Sequence, residues 1–504
     1  MELYLVVGCL VFIIALYFWQ NNLEHSRAFM MRRFVNWFPL GMTYAFLYMA
    51  RYNLTVSKNA LGAAMSKEAF GLIFAAGTFT YALSFLINGP LIDLKFGGKR
   101  GMLIAALGSS LANIAMGVVT YMFLRDKLQV NLTVTFAILY SINMFFQSYG
   151  AVSIIKVKAY WFHVRERGIF GAIFGTLISF GVYFAFDWGQ AIIEASKAHI
   201  IGEPTRLHRI FQTLFAVDTG NQDAIWLVFF IPAAILIFWA LIDMFAIKDT
   251  PSGAGFEDFD TADASSGEMD RQFTVKELLS RIFTSRIMLT LAAIEFTSGV
   301  IRNGILQWYT VFGKEVHQGE AAYIVHHWGA LVCFAGILGG FAGGWLSDHM
   351  FHSRRGPPVV VMNAVMFLAT AVMAFTLYSA PFAAGCAALV ISCAVIGVHS
   401  LMSGTAAADF GGRKATATAS GIVDAFVYLG TAVQSVCLGY LTTKDWQFWP
   451  IFLIPFSILG FILALRIWKD LPEATKRYLK QNKNIPSTPN ARKQMTGGQE
   501  PVRT

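Results

Sequence analysis

The amino-acid sequence predicts an all-α polytopic membrane protein with thirteen transmembrane helices. Of its 504 residues, 56% are hydrophobic and only 14% are charged, whereas roughly a quarter of the residues of a soluble domain are charged. Apolar runs of about 20 residues recur along the whole chain, and this is the length that a helix needs to cross a bilayer. Lysine and arginine gather in alternate loops between these runs, as is typical of loops on the cytoplasmic side.

The first apolar run, residues 3–20, is predicted to be an uncleaved anchor helix. No basic segment precedes it and no small-residue cleavage site follows it, so it does not have the pattern of a signal peptide. Arg27, Arg32 and Arg33 come shortly after it. They place this loop in the cytoplasm and the N-terminus outside.

Twelve further spans follow the anchor helix. The loops assigned to the cytoplasm contain the basic segments KFGGKR, KVKAYWFHVRERG, HSRRG and GGRK. This bias also explains the net charge of +9, which therefore does not indicate a nucleic-acid partner. The five cysteines lie in apolar segments with no paired spacing, so we expect no disulfide, metal site or cofactor. The spans are centred near residues 45, 80, 110, 143, 178, 235, 298, 333, 367, 393, 427 and 457.

The chain divides into two halves of six helices that a linker connects. The linker is acidic and rich in Gly and Ser, which is typical of a flexible segment. An outside loop at residues 197–223 contains the stretch RLHRIFQTLF, for which an interfacial helix and a disordered segment both remain open. The predicted organisation is an extra N-terminal helix with its cytoplasmic loop (1–33), an N-terminal half (34–247), a linker (248–283), a C-terminal half (284–470) and a disordered basic cytoplasmic tail (471–504).

The two halves carry an internal repeat. GPLIDLKFGGKR (Gly89–Arg100) and GWLSDHMFHSRR (Gly344–Arg355) each place an aspartate four residues after a glycine, with a basic pair behind it. Upstream of each copy, an arginine interrupts the first helix of the half: Arg51 in one and Arg302 in the other. Charges within a membrane are costly and usually functional. Transporters built from paired repeats bind their substrate between the repeats, so these arginines are the first candidate site residues.

Three tyrosines are further candidates for the same pocket. Tyr44 and Tyr48 follow the face of the helix that carries Arg51, and Tyr81 belongs to the adjacent helix. A tyrosine presents both an aromatic ring and a hydroxyl to a ligand. We therefore expect these side chains to face the substrate.

Two carboxylates also lie within predicted spans. Glu295 precedes Arg302 by seven residues, which is two helical turns on the same face. Asp424 interrupts the eleventh span. Their roles remain open between proton coupling, contact with a cationic group of the substrate, a counter-ion for the arginines, and a structural hydrogen bond. Asp187, near the outer end of the fifth span, is interpreted as an edge residue.

Several stretches resemble the major facilitator superfamily, and in particular its organophosphate:phosphate antiporter branch, which includes the bacterial glycerol-3-phosphate and hexose-6-phosphate transporters. Gly89–Arg100 is similar to the superfamily's loop signature, although the spacing after Asp93 is one residue longer. The finer resemblance extends from about residue 34 to residue 470. It implies two pseudo-symmetric six-helix halves, to which the first helix is an addition. The segments that carry it are FFQSYG, WFHVRERG, IRNGILQW, FAGILGGFAGGWLSD and GGRKATATASGIVDAFVYLG.

The resemblance also implies roles for particular residues. In this branch an arginine on the first helix of each half binds the phosphoryl group, and these arginines resemble Arg51 and Arg302. A guanidinium is always charged and pairs with phosphate oxygens through two parallel hydrogen bonds, so the chemistry agrees. Gln147, in FFQSYG, is added as a further substrate-binding candidate. The expected cytoplasmic gate, whose ion pairs hold the inner side shut, consists of Asp93, Lys99, Arg100, Asp348, Arg354 and Arg355.

Four positions depart from the glycerol-3-phosphate transporter. Tyr52 and Phe85 stand where that transporter has lysines, Ile178 where it has a histidine and Cys333 where it has a glutamate. The predicted pocket therefore keeps its arginines but loses other polar groups. This favours a bulkier or more apolar substituent on the phosphate than glycerol.

These observations predict a secondary active transporter of a phosphorylated organic anion. We expect a monomer in the bacterial inner membrane that works by alternating access, in exchange for inorganic phosphate or coupled to protons, with its C-terminus in the cytoplasm. The sequence contains no Walker motif, nucleophile–base pair or metal cluster, so an enzyme is not predicted. Two alternatives remain: a carrier of a non-phosphorylated carboxylate, and a transporter-like sensor whose extra helix docks a partner.

Overall fold

The computed structural model describes residues 2–19, 21, 23–199, 203–217, 222–259, 275–316, 321–351, 354–406 and 416–470. All of the regular secondary structure in these ranges is helical. The helices are α1 (Glu2–Trp19), α2 (Arg27–Leu61), α3 (Lys67–Leu91), α4 (Gly97–Leu124), α5 (Leu132–Trp161), α6 (Val164–Tyr183), α7 (Gly189–Ala195), α8 (Arg206–Phe215), α9 (Leu227–Ala246), α10 (Val275–Thr284), α11 (Arg286–Leu306), α12 (Trp308–Val316), α13 (Ala322–His326), α14 (Trp328–Trp345), α15 (Gly356–Thr376), α16 (Pro381–His399), α17 (Thr416–Lys444) and α18 (Phe448–Arg466).

Each predicted span centre lies in one of these helices, so the all-α polytopic fold is confirmed. The N-terminal half consists of α2–α6 and α9, and the C-terminal half of α11 and α14–α18. Among the described residues, ten helices are long and apolar enough to cross a membrane, with α6 and α7 counted together. α1 is a shorter apolar helix, and α2 and α11 contain too many polar residues to be counted among the ten. These two helices carry Arg51 and Arg302.

The halves meet along two reciprocal crossings. α3, the second helix of the N-terminal half, packs against α17, the fifth of the C-terminal half; α14, the second of the C-terminal half, packs against α6, the fifth of the N-terminal half. At the first crossing a Cβ on Gly71 would lie 2.3 Å from the carbonyl oxygen of Ser435. Only glycine permits this approach, as is common where membrane helices pack closely.

Loop residues fix the ends of several helices. Ser26, Ser66 and Asn131 lie just before α2, α3 and α5, and each side-chain oxygen accepts a hydrogen bond from a backbone N–H of the first turn. The repeated segments end in matching single π-helical turns, Ile92–Phe96 and Leu346–Met350. The two halves therefore share this local geometry as well as their sequence pattern.

The predicted linker begins as part of the N-terminal half. The indole N–H of Trp161 donates to the carbonyl oxygen of Lys248 (2.9 Å), and the backbone N–H of Lys248 donates to Oδ1 of Asn36 (2.6 Å). The last part of the linker forms α10, while residues 260–274 lie outside the described part. The predicted tail, 471–504, also lies outside it.

The predicted outside loop contains a helix, α8, where the sequence left two alternatives open. Thr205 accepts a hydrogen bond from the backbone N–H of His208 and so caps the N-terminus of α8. The apolar residues Leu207, Ile210, Phe211 and Leu214 recur at the spacing of one helix face; Phe211 is buried, while Ile210 and Leu214 are exposed. This is the pattern of an amphipathic interfacial helix.

The additional helix α1 packs against α6 and is hydrogen-bonded to the start of α2. The hydroxyl of Tyr17 donates to the carbonyl oxygen of Met30 (2.9 Å) and accepts from Nε of Arg33 (2.9 Å). Arg33 in turn pairs with Glu166 at the start of α6 (3.0 Å). The first helix is therefore an integrated part of the N-terminal half.

Candidate functional site

Arg51 lies in the C-terminal part of α2, where the two halves meet, and is completely buried. Its guanidinium is surrounded by neutral acceptors and aromatic rings. The rings of Tyr48, Tyr81 and Tyr428 have their centres 4.9, 4.6 and 5.6 Å from its central carbon, within the range of cation–π attraction. It donates three hydrogen bonds: Nε to Oε1 of Gln147 (2.8 Å), Nη1 to the hydroxyl of Tyr428 (2.8 Å) and Nη2 to the hydroxyl of Tyr81 (3.1 Å).

A polar network in the N-terminal half orients Gln147, which sits on α5. Its side-chain amide donates to Oγ of Ser109 (3.1 Å) and to Oδ1 of Asn143 (3.2 Å). These bonds leave Oε1 of Gln147 directed at Arg51. Asn143 also donates to the carbonyl oxygen of Ala50 (2.9 Å), so α5 holds α2 beside the arginine. The buried network fixes the Arg51 side chain before any ligand binds.

Arg302 occupies the matching position on α11 but has few partners. It is 8% exposed. Among the described residues it donates one hydrogen bond, from Nη2 to the hydroxyl of Tyr48 at 3.3 Å. Tyr48 thus lies between the arginines, with its ring beside Arg51 and its hydroxyl on Arg302. Tyr44 packs against the ring of Tyr48 with a centroid distance of 5.5 Å.

The arginines have no acidic partner in the described part of the chain. Neither guanidinium has a carboxylate oxygen within salt-bridge distance. Two buried positive charges that no carboxylate pairs with directly repel each other and attract an anion. The geometry can therefore bind a compact anion that offers several oxygen acceptors.

The intramembrane acids pair with other groups. Glu295 is fully buried, and its Oε2 lies 3.0 Å from Nδ1 of His399 on α16. Asp424 accepts a hydrogen bond from the hydroxyl of Ser403. Sequence reasoning missed His399, which lies 104 residues from Glu295. An ionisable side chain in a membrane span was the available signal.

The predicted cytoplasmic gate is only partly described, because the side chains of Asp93 and Asp348 lie outside the described part. The backbone N–H of Lys99 donates to Oδ1 of Asp249 (2.7 Å), which thereby caps α4. Arg355 donates to the hydroxyl of Ser347 (2.7 Å) within its own half. Arg100 and Arg354 are exposed.

Contacts between the halves that sequence reasoning missed lie on the side of the bundle that the sequence predicts to face outside. Glu315 on α12 accepts from Lys58 (3.1 Å) and from Lys67 (3.0 Å), which belong to α2 and α3. Asp187, interpreted from the sequence as an edge residue, accepts from the backbone N–H groups of Gly329 and Ala330, both at 2.8 Å. A carboxylate at a helix N-terminus satisfies its unpaired donors.

A cavity of about 440 Å³ lies beside these outer contacts. Gln190, Lys197 and Lys314 are among the residues that line it. This cavity is separate from the two central arginines, which do not line it.

A family comparison now identifies the fold. The profile of the Major Facilitator Superfamily matches residues 40–435, which include both Arg51 and Arg302.

The chain belongs to the Major Facilitator Superfamily.

This confirms the predicted family, and it agrees with the prediction that the chain is not an enzyme. Similar curated proteins cover most of the chain. A probable hexose phosphate transport protein of Chlamydia trachomatis is 25% identical and covers 88% of this chain and 92% of its own length. The glycerol-3-phosphate transporter of Bacillus subtilis is 24% identical (84% and 90%). The membrane sensor protein UhpC of Escherichia coli is also 24% identical (86% and 91%).

Solved structures share the superfamily fold. A bacterial homologue of the human lysosomal transporter Spinster superposes with a TM-score of 0.63 at 15% identity, covering 90% of this chain and 99% of that one. The FucP transporter superposes with a TM-score of 0.51 at 16% identity (85% and 100%). At these identities the likeness concerns the fold alone.

Proposed function

We propose that this superfamily member is a secondary transporter that moves a phosphorylated organic anion by alternating access, in exchange for inorganic phosphate or coupled to protons. The observation that carries the proposal is the pair of buried guanidiniums, Arg51 and Arg302, which come from matching helices and have no carboxylate partner among the described residues. A phosphate ester offers three terminal oxygens and up to two negative charges. It can therefore bridge both guanidiniums through charge-assisted hydrogen bonds.

The names of the relatives support a phosphorylated substrate. Those compared above include a probable hexose phosphate transport protein and a glycerol-3-phosphate transporter. The aromatic surroundings of Arg51 favour an organic part with apolar surface. Tyr52 and Phe85 occupy the positions where the sequence comparison expects lysines, and they favour it as well.

In this mechanism the substrate replaces hydrogen-bond partners that the arginines already have, so the site exists before the substrate binds. Arg51 already donates to Tyr428, which belongs to the opposite half, and a phosphate oxygen can take over this bond. Arg302 has donors left for a second oxygen. A bound anion would thus hold α2 and α11 together, and rocking of the halves would open the outer contacts of Glu315 and Asp187 in turn.

We also propose the membrane in which the protein lies and its orientation there. We place the protein in the bacterial inner membrane as a monomer, with the N-terminus of α1 outside and the C-terminus in the cytoplasm. The basic residues at Arg27, Arg32 and Arg33 support this orientation.

Counterflow in proteoliposomes tests the proposal. Vesicles loaded with inorganic phosphate should take up one or more labelled phosphate esters from a panel of sugar phosphates and triose phosphates, and unlabelled phosphate outside should compete. Uptake of carboxylates alone would replace the proposal by a carrier of non-phosphorylated anions. Empty vesicles and Arg302→Lys vesicles are the controls.

A sensor is the second candidate, because the chain is also 24% identical to the membrane sensor protein UhpC. The same vesicles separate the two functions. Saturable binding of a phosphate ester by the purified protein, with no counterflow of any member of the panel, would establish the sensor and contradict the transporter.

A further inference from the structure

A buried acid–histidine pair lies two helical turns from Arg302. Glu295 on α11 is fully buried, and one of its oxygens lies 3.0 Å from Nδ1 of His399 on α16. The other oxygen, Oε1, has no hydrogen-bond partner among the described residues. The His399 side chain remains 25% exposed. One member of the pair is thus sealed in the protein, while the other keeps part of its surface accessible.

The pair is also close to the groups that hold the arginines. Asp424 on α17 interacts electrostatically with both His399 and Arg302. It lies one turn from Tyr428, which accepts a hydrogen bond from Arg51. Glu295 lies roughly 10 Å along α11 from Arg302, at 1.5 Å per residue. The acids therefore belong to the same electrostatic neighbourhood as the arginines without pairing with them.

Few other titratable groups face this pair. The spans α14 and α15 contain no carboxylate, histidine or lysine, and their titratable group is the Cys333 thiol on α14. α18 carries Arg466 at its end, and α10 brings Lys276 and Glu277 to the start of α11. Asp424 on α17 interacts electrostatically with both members of the pair, and Arg302 lies on the same helix as Glu295. Tyr48 on α2 reaches this region through its hydrogen bond with Arg302. The other titratable groups on α11, α16 and α17 are Arg286, Cys386, Cys393, Tyr428, Cys437, Tyr440 and Lys444.

We infer that the Glu295–His399 pair, supported by Asp424, is a proton-binding site that couples substrate movement to protons. The inference rests on the proposed function and selects proton coupling, rather than exchange for inorganic phosphate alone, as its driving force. A proton that binds the pair makes its net charge more positive by one unit. This change stabilises a dianion bound between Arg51 and Arg302. By linkage, a bound dianion in turn favours uptake of the proton by the same factor. Anion and proton then cross together.

Labelled inorganic phosphate, used as the probe, tests the inference in proteoliposomes. Two rates are compared: exchange into vesicles loaded with phosphate, and net uptake into phosphate-free vesicles whose interior is more alkaline. The external pH is held constant so that the charge of the external phosphate does not change. Wild-type protein should show both activities. Glu295→Gln and His399→Gln should lower the uptake driven by the pH gradient at least about tenfold and change exchange less than about twofold.

Asp243→Asn is the matched control. Asp243 is another buried intramembrane carboxylate, held by the hydroxyl of Thr43 at 2.6 Å in the N-terminal half. It should leave both activities unchanged. The retained exchange of Glu295→Gln also shows that this variant folds.

The outcomes separate the inference from the proposed function. Wild-type exchange without any response to the pH gradient overturns the proton site but leaves a phosphate exchanger. Loss of gradient-driven uptake in Asp243→Asn but not in Glu295→Gln also overturns it, because coupling would then reside in the other half. If wild-type protein neither exchanges phosphate nor moves any ester of the panel, the transport function itself fails.

Discussion

Arg51 and Arg302 occupy matching helices of the two halves but differ in what surrounds them. Arg51 donates three hydrogen bonds to neutral acceptors and is completely buried. Arg302 donates a single long bond to Tyr48 among the described residues. The N-terminal half therefore holds its arginine in a fixed geometry, whereas the C-terminal half leaves donors for a ligand. Pseudo-symmetry of the fold does not require symmetry of the site.

A third buried arginine shows what a structural arginine looks like in this protein. Arg33 is 1% exposed and forms two hydrogen bonds of 3.0 Å with the carboxylate of Glu166. It also contacts the hydroxyl of Tyr17. A buried arginine in this protein can therefore have a carboxylate partner, whereas Arg51 and Arg302 have none in the described part of the chain. This difference distinguishes an anion site from a structural ion pair.

The largest effect is expected from replacing the site arginines. Arg302→Lys and Arg51→Lys should each weaken binding of a phosphate ester at least about 100-fold, because an ammonium cannot form the paired, charge-assisted bonds of the guanidinium. Arg51→Lys should also lower the melting temperature of the ligand-free protein, since it leaves Gln147, Tyr81 and Tyr428 without their donor. Calorimetric titration and thermal unfolding measure the two effects.

The difference between these variants is the sharper part of the prediction. If Arg302→Lys lowers the melting temperature of the ligand-free protein as much as Arg51→Lys does, the contrast between the two halves is wrong. If either variant binds the ester almost normally, that arginine does not hold the substrate.

Glu166→Gln should destabilise the protein by about 3 kcal/mol without weakening ester binding, because it leaves Arg33 buried and uncompensated. Burial alone would raise the pKa of Glu166, but hydrogen bonds from His25 and Arg33 lower it from 4.5 to about 2. Its contribution to stability is therefore complete above the ordinary value of 4.5 and is lost as the pH falls toward 2. Thermal unfolding at several pH values checks this pH dependence of stability. A matching loss of ester affinity would contradict the assignment of Arg33 and Glu166 to a structural role and of Arg51 and Arg302 to substrate binding.

The sequence predicts properties that belong to a single helix, such as its position in the chain and its charged residues. It does not predict which side chains meet between helices, because that depends on how the helices are rotated against each other. Apolar runs placed the spans, and the repeated pattern picked out Arg51 and Arg302 as a pair. The sequence could not assign Tyr428 as the partner of Arg51, or His399 as the partner of Glu295, because each pair forms between two packed helices. The same holds for Glu315, whose lysines lie 257 and 248 residues away.

Tyr428→Phe tests whether the C-terminal half must release Arg51 before substrate binds. Removing this hydroxyl leaves a buried N–H of Arg51 unpaired, at a cost of about 1 kcal/mol or more that a phosphate oxygen relieves. The affinity for a phosphate ester should therefore rise about fivefold. Tyr140→Phe is the control, since its hydroxyl donates to the backbone carbonyl of Arg51 (3.3 Å) and not to the guanidinium. Weaker binding by Tyr428→Phe would show instead that its hydroxyl contacts the substrate.

The smallest effect is expected at the outer contacts, where the halves meet through the partly exposed carboxylate of Glu315. Glu315 is 35% exposed, so its ion pairs with Lys58 and Lys67 are screened by water, and Glu315→Gln should favour outer opening by about 0.5–1 kcal/mol. In a cysteine-free background, a cysteine replacing Asn59 beside the outer cavity should then react with a membrane-impermeant maleimide about two to five times faster. Glu194→Gln is the matched control, because Glu194 accepts its hydrogen bond from Gln190 of the same half. Equal acceleration by both variants would mean that surface charge, and not the bridge between the halves, sets the labelling rate, and the outer closure would then rest on Asp187 at the start of α14.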